Sequence, residues 1–109
     1  ENLKKFLKSK RALLKKIKLN LKDNENIKIF EEPKNCKSNY WLQIVMLNKA
    51  SIKLRNNIIE NLIKNGLQSR PLWTLLHKID YLKKFHHDNL SISLDIEKKL
   101  INIPSNINN

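Results

Sequence analysis

A single glycine, Gly66, leaves this sequence without a glycine-rich loop whose backbone N–H groups could cradle a phosphate. A single cysteine, Cys36, excludes an internal disulfide and agrees with a reducing cytoplasm. No Cys-x-x-Cys or His-x-x-x-His spacing exists, so Cys36, His77, His86 and His87 read as exposed side chains and no metal site is expected. No apolar run approaches the roughly 20 residues that a membrane helix needs. The Lys-rich start is not a secretory signal either, so a soluble cytoplasmic protein with no membrane partner is expected. Acidic residues are scarce, 10 against 22 Lys and Arg, which leaves a net charge of +12. That charge suits nucleic acid. Only Arg11, Arg55 and Arg70 are arginines, however, and bidentate reading of phosphate or guanine favours Arg over Lys. Lys, Asn and Ile are spread along the whole chain, a pattern of coding bias rather than of a patch built for a partner.

What is present suffices for one domain. The 109 residues are 40% hydrophobic and 29% charged, a globular balance that permits a modest core. Because the chain starts at Glu1 rather than at Met, it is expected to be a piece of a longer protein. Leu3, Phe6, Leu7, Leu13, Leu14, Ile17 and Leu21 recur at helical spacing with lysines between them, which predicts an amphipathic helix over residues 1–22. A basic helix of this kind can bind an anionic surface or nucleic acid as a stand-alone module. Its commoner meaning is a packed helix with a solvated lysine face. A short strand over Ile27 and Ile29 should stop before Pro33, and Tyr40 to Leu47 reads as a central strand buried on both faces. Ser51 is the expected N-cap of a helix running to about Asn65, with Leu54, Ile58 and Leu62 inward and Ile59 and Ile63 widening the stripe. A helical turn is expected around Ile79 to Phe85, with Asp88 or Asn89 as the next cap. Leu90 to Ile96 fits either a strand, by strict alternation, or a helix. Ile101 to Ser105 should be extended and 106–109 frayed.

The stretch from Gly66 to His77 organises the rest. Gly66 falls where the preceding helix needs a left-handed residue to end, and Leu67 is placed to pack back on Leu62. Pro71 biases Arg70 toward extended backbone, with its guanidinium available to a partner. Asn39, Tyr40 and Trp41 from one extended segment and Arg70, Trp73 and His77 from another form the candidate cluster. Aromatic surface with one Arg and one His suits the wall of a sugar or nucleotide site, and the same pattern also fits Trp41 and Trp73 as core residues. No Ser or Cys stands beside a base in the manner of a nucleophilic triad.

Four stretches together resemble the C-terminal small domain of the DegT-type sugar-nucleotide aminotransferases. They are Leu3-Lys4-Lys5-Phe6-Leu7-Lys8-Ser9-Lys10-Arg11, Ser38-Asn39-Tyr40-Trp41-Leu42, Gly66 to Trp73 with Leu76-His77, and Ile101-Asn102-Ile103-Pro104-Ser105, in that order. The resemblance is nearest to members that aminate UDP-linked 4-keto sugars on the way to bacillosamine- or legionaminic-type glycans. One departure is Leu75, where the wider family has proline before Leu-His. The resemblance implies an α+β fold, a small antiparallel sheet flanked by helices, as in the small domain of fold type I enzymes. It also implies a helix over 89–100. It implies pyridoxal phosphate held by a large domain that this chain lacks, so that the 109 residues should be inactive alone. Glutamate as amino donor and a homodimer are further implications, as is a place in surface glycan synthesis. On the family motif, substrate contact falls to Asn39, Tyr40, Trp41, Arg70, Trp73 and His77, with no catalytic residue in this chain.

Overall fold

A computed structural model describes residues 2–106. The lysine-flanked apolar repeat forms helix α1 (Leu3–Leu21), which buries Leu14 and packs Ile17 against the core. Asn24 then accepts from the N–H groups of Asn26 and Ile27 and turns the chain into strand β1 (Ile27–Ile29). Strand β2 (Gln43–Leu47) leads through Ser51, whose hydroxyl accepts from Leu54 N–H at 3.1 Å, into helix α2 (Ile52–Lys64). A two-residue strand, β3 (Arg70–Pro71), a 3-10 turn at Leu76–Lys78, helix α3 (Ser91–Glu97) and strand β4 (Leu100–Ile103) complete the order.

The four strands lie in the order β1-β2-β4-β3, each neighbouring pair antiparallel. Ile29 stands opposite Val45 and Val45 opposite Ile101, so these three share one face of the sheet. Leu14 of α1 and Ile59 of α2 join the same buried cluster. Both long helices therefore cover that face, and Ile44, Met46, Leu100 and Asn102 alternate to the other. The fold is α+β, a small antiparallel sheet with helices, as expected.

Several boundaries differ from the expectation. The strand expected from Tyr40 begins at Gln43, because the Ser38 hydroxyl and the Asn39 amide capture the N–H groups of Tyr40 (3.0 Å) and Trp41 (2.9 Å) in a local turn. Tyr40 is left with a positive φ of 47°. Nor is β2 buried equally on both faces: Gln43, Val45 and Leu47 are buried, whereas Ile44 and Met46 are half-buried. On α2 Ile58 and Leu62 pack against the core as expected, but the buried residues are Arg55 and Ile59, while Leu54 and Ile63 are exposed. The guanidinium of Arg55 donates to the Glu97 carbonyl at 2.6 Å, a cation on the C-terminal end of α3. Helix α3 is shorter than 89–100, because Leu100 pairs with Met46 and the chain must be extended there. The N-cap position of α3 is Leu90, which makes no side-chain cap bond, rather than the expected Asp88 or Asn89; Asn89, one residue earlier, accepts from the N–H of Ser91 in a local turn. Around Ile79 to Phe85 the chain makes hydrogen-bonded turns. The C-terminal extended segment, expected from Ile101 to Ser105, is the strand Leu100–Ile103 and lies in the interior of the sheet. Of the expected frayed residues, 107–109 lie outside the described ones.

Candidate functional site

The candidate site begins at the end of α2. Gly66, at φ +82°, donates to Ile63 O, and Leu67 donates to Leu62 O, both at 2.9 Å, which is the paired closure of a Schellman cap. The chain leaves in a new direction and enters β3, where Arg70 faces Asn102 and Pro71 faces Ile101. The Asn102 amide donates to Pro71 O at 3.2 Å and holds this short edge in place. Trp73 follows immediately. On the other side, Trp41 emerges from the Ser38–Asn39 turn, and its carbonyl accepts from Lys10 Nζ at 3.3 Å and from the Ser105 hydroxyl. Lys10 also donates to Ser105 Oγ at 2.6 Å and Ser105 O at 2.9 Å, so α1, the start of β2 and the C-terminal segment meet at one ammonium group.

These elements enclose an open groove of about 1040 Å³ whose wall includes Lys10, Trp41, Arg70, Trp73, Asn102 and Ser105. The Trp41 and Trp73 rings lie 6.5 Å apart, tilted by 40°, and are 68% and 64% exposed, which overturns their reading as core. Arg70 is exposed and takes part in none of the ion pairs among the described residues. Three of the six residues singled out from sequence, Trp41, Arg70 and Trp73, are thus brought together. Asn39 stands beside them, with its amide on Trp41 N–H.

Tyr40 and His77 are placed elsewhere. Tyr40 is buried in the core, its hydroxyl accepts from Glu32 N–H at 3.1 Å, and its ring lies 5.2 Å beneath the Arg11 guanidinium. Arg11 grips Glu32 through two bonds of 2.7 and 3.0 Å and the Ser38 carbonyl at 2.6 Å. The hydrogen bonds from Arg11 and from Ser38 N–H hold the Glu32 carboxyl below its ordinary pKa, and Glu32 raises that of Arg11. Glu32, Ser38 and Tyr40 of this network line a smaller cavity of about 260 Å³ with Phe30, Cys36 and Ile44. His77, on the 3-10 turn, has its ring 5.2 Å from that of His87 and is not part of the groove wall. Among the described residues no group of three or more His, Cys, Asp or Glu side chains could hold a metal ion. None of the described helices is long and apolar enough to cross a membrane.

Lys10 and Ser105 were not singled out from sequence as site residues, although both lie inside the motif stretches that carry the resemblance. The basic residues of α1 are also not uniformly free: Lys10, Arg11 and Lys18 bond Ser105, Glu32 and Glu31.

Residues 1–108 match the DegT/DnrJ/EryC1/StrS aminotransferase family. No curated protein sequence matches the chain significantly. Among solved structures, the aminotransferase TlmJ from Streptoalloteichus hindustanus is similar at 15% identity and a TM-score of 0.79 over 94% of this chain. Helicobacter pylori PseC, an aminotransferase involved in the biosynthesis of pseudoaminic acid, is similar at 18% identity and 0.78, again over 94% of this chain. The Escherichia coli GDP-4-keto-6-deoxy-D-mannose-3-dehydratase with bound hydrated PLP is similar at 23% and 0.75, also over 94%. At these identities the likeness is one of fold. The chain spans 27%, 28% and 27% of those three chains.

Proposed function

Since this chain belongs to the DegT/DnrJ/EryC1/StrS aminotransferase family, we propose that it is the C-terminal, substrate-capping small domain of an enzyme that transfers an amino group to a keto sugar carried on a nucleotide. The groove bearing Trp41, Trp73 and Arg70 is the observation that supports a sugar-nucleotide ligand: flat apolar faces beside a cationic fork, in a chain of this family. UDP-linked 4-keto sugars and surface glycan synthesis are the finer form of this reading. Glutamate as donor, a cytoplasmic homodimer, and substrate contacts by Asn39 and His77 upon assembly belong to it as well, whereas Tyr40, buried with its hydroxyl on Glu32 N–H, supports the wall from the core.

The family's cofactor, pyridoxal phosphate, does not fit the residues of this chain. It needs an enclosed lysine amine, a carboxylate for the ring nitrogen and a phosphate cradle. The buried polar residues among those described are Gln43, Arg55, Ser69, Asn102 and Ser105, with no lysine or carboxylate, and the lone glycine ends a helix. No step of cofactor chemistry is therefore assigned to these residues. Their part is to bind and orient the substrate, while the cofactor is held by a large domain outside this chain.

The test is amine transfer by the full-length protein supplied with pyridoxal phosphate, glutamate and a UDP-linked 4-keto sugar. Stoichiometric formation of 2-oxoglutarate and an amino-sugar nucleotide, followed by mass spectrometry, is the expected result. A folded protein that converts no nucleotide-linked keto sugar would refute the reading.

A further inference from the structure

Lys10 lines the groove as a cation, and its obvious use would be to grip whatever anion enters. Its hydrogen bonds argue otherwise. A lysine ammonium has three hydrogens to donate, and Lys10 Nζ meets three acceptors, Ser105 Oγ at 2.6 Å, Ser105 O at 2.9 Å and Trp41 O at 3.3 Å. None is left for a ligand. Lys10 also takes part in none of the ion pairs among the described residues, so the oxygens that hold it are neutral. Ser105 is buried and passes its own hydroxyl hydrogen to the same Trp41 carbonyl.

The position of that carbonyl decides where the neighbouring rings go. Tyr40 has a φ of 47°, a left-handed conformation that a tyrosine keeps only where its surroundings enforce it. On one side the buried Tyr40 ring and its hydroxyl bond to Glu32 N–H hold it. On the other, Trp41 is held at its N–H by Asn39 and at its carbonyl by Lys10 and Ser105. Two adjacent residues are thereby sent in opposite directions, one into the core and one into the groove. The Trp41 ring is 68% exposed, so packing does little to orient it and the backbone sets its place. Lys10 is itself fixed, because its carbonyl accepts from Nε2 of the fully buried Gln43 at 3.1 Å. One residue of α1 thus ties the start of β2 through its backbone and through its side chain.

We propose that Lys10 and Ser105 are positioning residues, which act on the ligand through Trp41 by clamping its carbonyl, and that Lys10 makes no direct bond to the ligand. This inference rests on the reading that the groove takes the substrate, and adds what fixes its wall before the substrate arrives. A wall fixed in advance lowers the ordering cost of binding.

Fluorine NMR of the full-length protein labelled with 5-fluorotryptophan tests the clamp without any ligand, the signals being assigned with Trp41→Phe and Trp73→Phe. Lys10→Met and Ser105→Ala should each displace the Trp41 signal by more than the Trp73 signal. Lys8→Met, an exposed position on the same helix, should move neither. With a nucleotide-linked keto sugar, both clamp variants should raise KM about three- to tenfold, as the loss of a hydrogen bond that positions a binding group requires, and leave kcat nearly unchanged. Should Lys10→Met fail to fold, Ser105→Ala decides alone. A Trp41 signal that stays in place, or one that moves no more than that of Trp73, would overturn the proposal. A raised KM in Lys10→Met with Trp41 unmoved would overturn it too, since Lys10 would then be gripping the ligand directly. If Trp41 moves as described but the wild-type protein transfers no amine, the aminotransferase reading falls and the clamp stands. If the wild type transfers amine and the clamp variants keep its KM, this inference falls alone.

Discussion

Glu32 accepts from both terminal nitrogens of Arg11 and from the Ser38 backbone N–H at 2.5 Å, so one carboxylate joins α1 to the loop that precedes Trp41. Unfolded, this group titrates near its ordinary 4.5; folded, the Arg11 and Ser38 bonds lower it. The fold therefore gains stability from ionised Glu32 above pH 4.5 and loses that gain as the pH falls through the lower folded value. Arg11 stays charged throughout, so the window is set by the carboxyl alone. Glu32→Gln should be less stable than wild type at neutral pH, and the gap between them should close in acid below 4.5. Denaturant titrations of both proteins at neutral and acid pH measure it, and a gap that persists or widens in acid would contradict the assignment. Arg11 was legible from sequence only as one cation on a basic helix. Its partner is 21 residues away, and no helical spacing points across that distance.

Among the elements, what was legible was what is decided locally. Ser51 caps α2 through a bond three residues along, and Gly66 ends it with a left-handed backbone, both signals written next to the structure they produce. A Cβ added at Gly66 would meet nothing within 4 Å, so Gly66→Ala tests the backbone term without a packing term. The cost should be about 1 kcal/mol, that of a non-glycine residue held in the left-handed region. Equilibrium unfolding measures it, and a loss above about 3 kcal/mol would mean that the turn holds the groove by contacts as well. Less legible were features settled by distant partners. Arg55 is buried because the Glu97 carbonyl, 42 residues on, receives it. Tyr40 to Leu42 reads as strand by composition, yet the polar side chains of Ser38 and Asn39 take the backbone first. The alternation of Leu90 to Ile96 misleads because α3 is a short helix whose end is dictated by the pairing of Leu100 with Met46.

For the molecule as a whole, the order of motif stretches carried the family reading, and the sheet explains why stretches so far apart belong together. β4 lies between β2 and β3, so the chain end bearing Ser105 is brought beside Trp41 while Arg70 pairs with Asn102. Spacing alone could not place Lys10 at that junction, because its bond to Ser105 spans 95 residues. Nor could it separate Tyr40 from Trp41: adjacent in sequence, one enters the core and the other the groove. The groove is proposed to be the substrate site of the full-length enzyme, with Arg70 as its ligand-facing cation. The most direct measurement is kcat/KM of the full-length protein with a nucleotide-linked keto sugar, for wild type and Arg70→Lys, beside thermal melts of both. Lysine keeps the charge but loses the planar fork, so kcat/KM should fall by the equivalent of about 1–3 kcal/mol, the worth of a charge-assisted bond, with an unchanged Tm. An unchanged kcat/KM, or a loss that follows a large drop in Tm, would contradict the account and make Arg70 a structural residue.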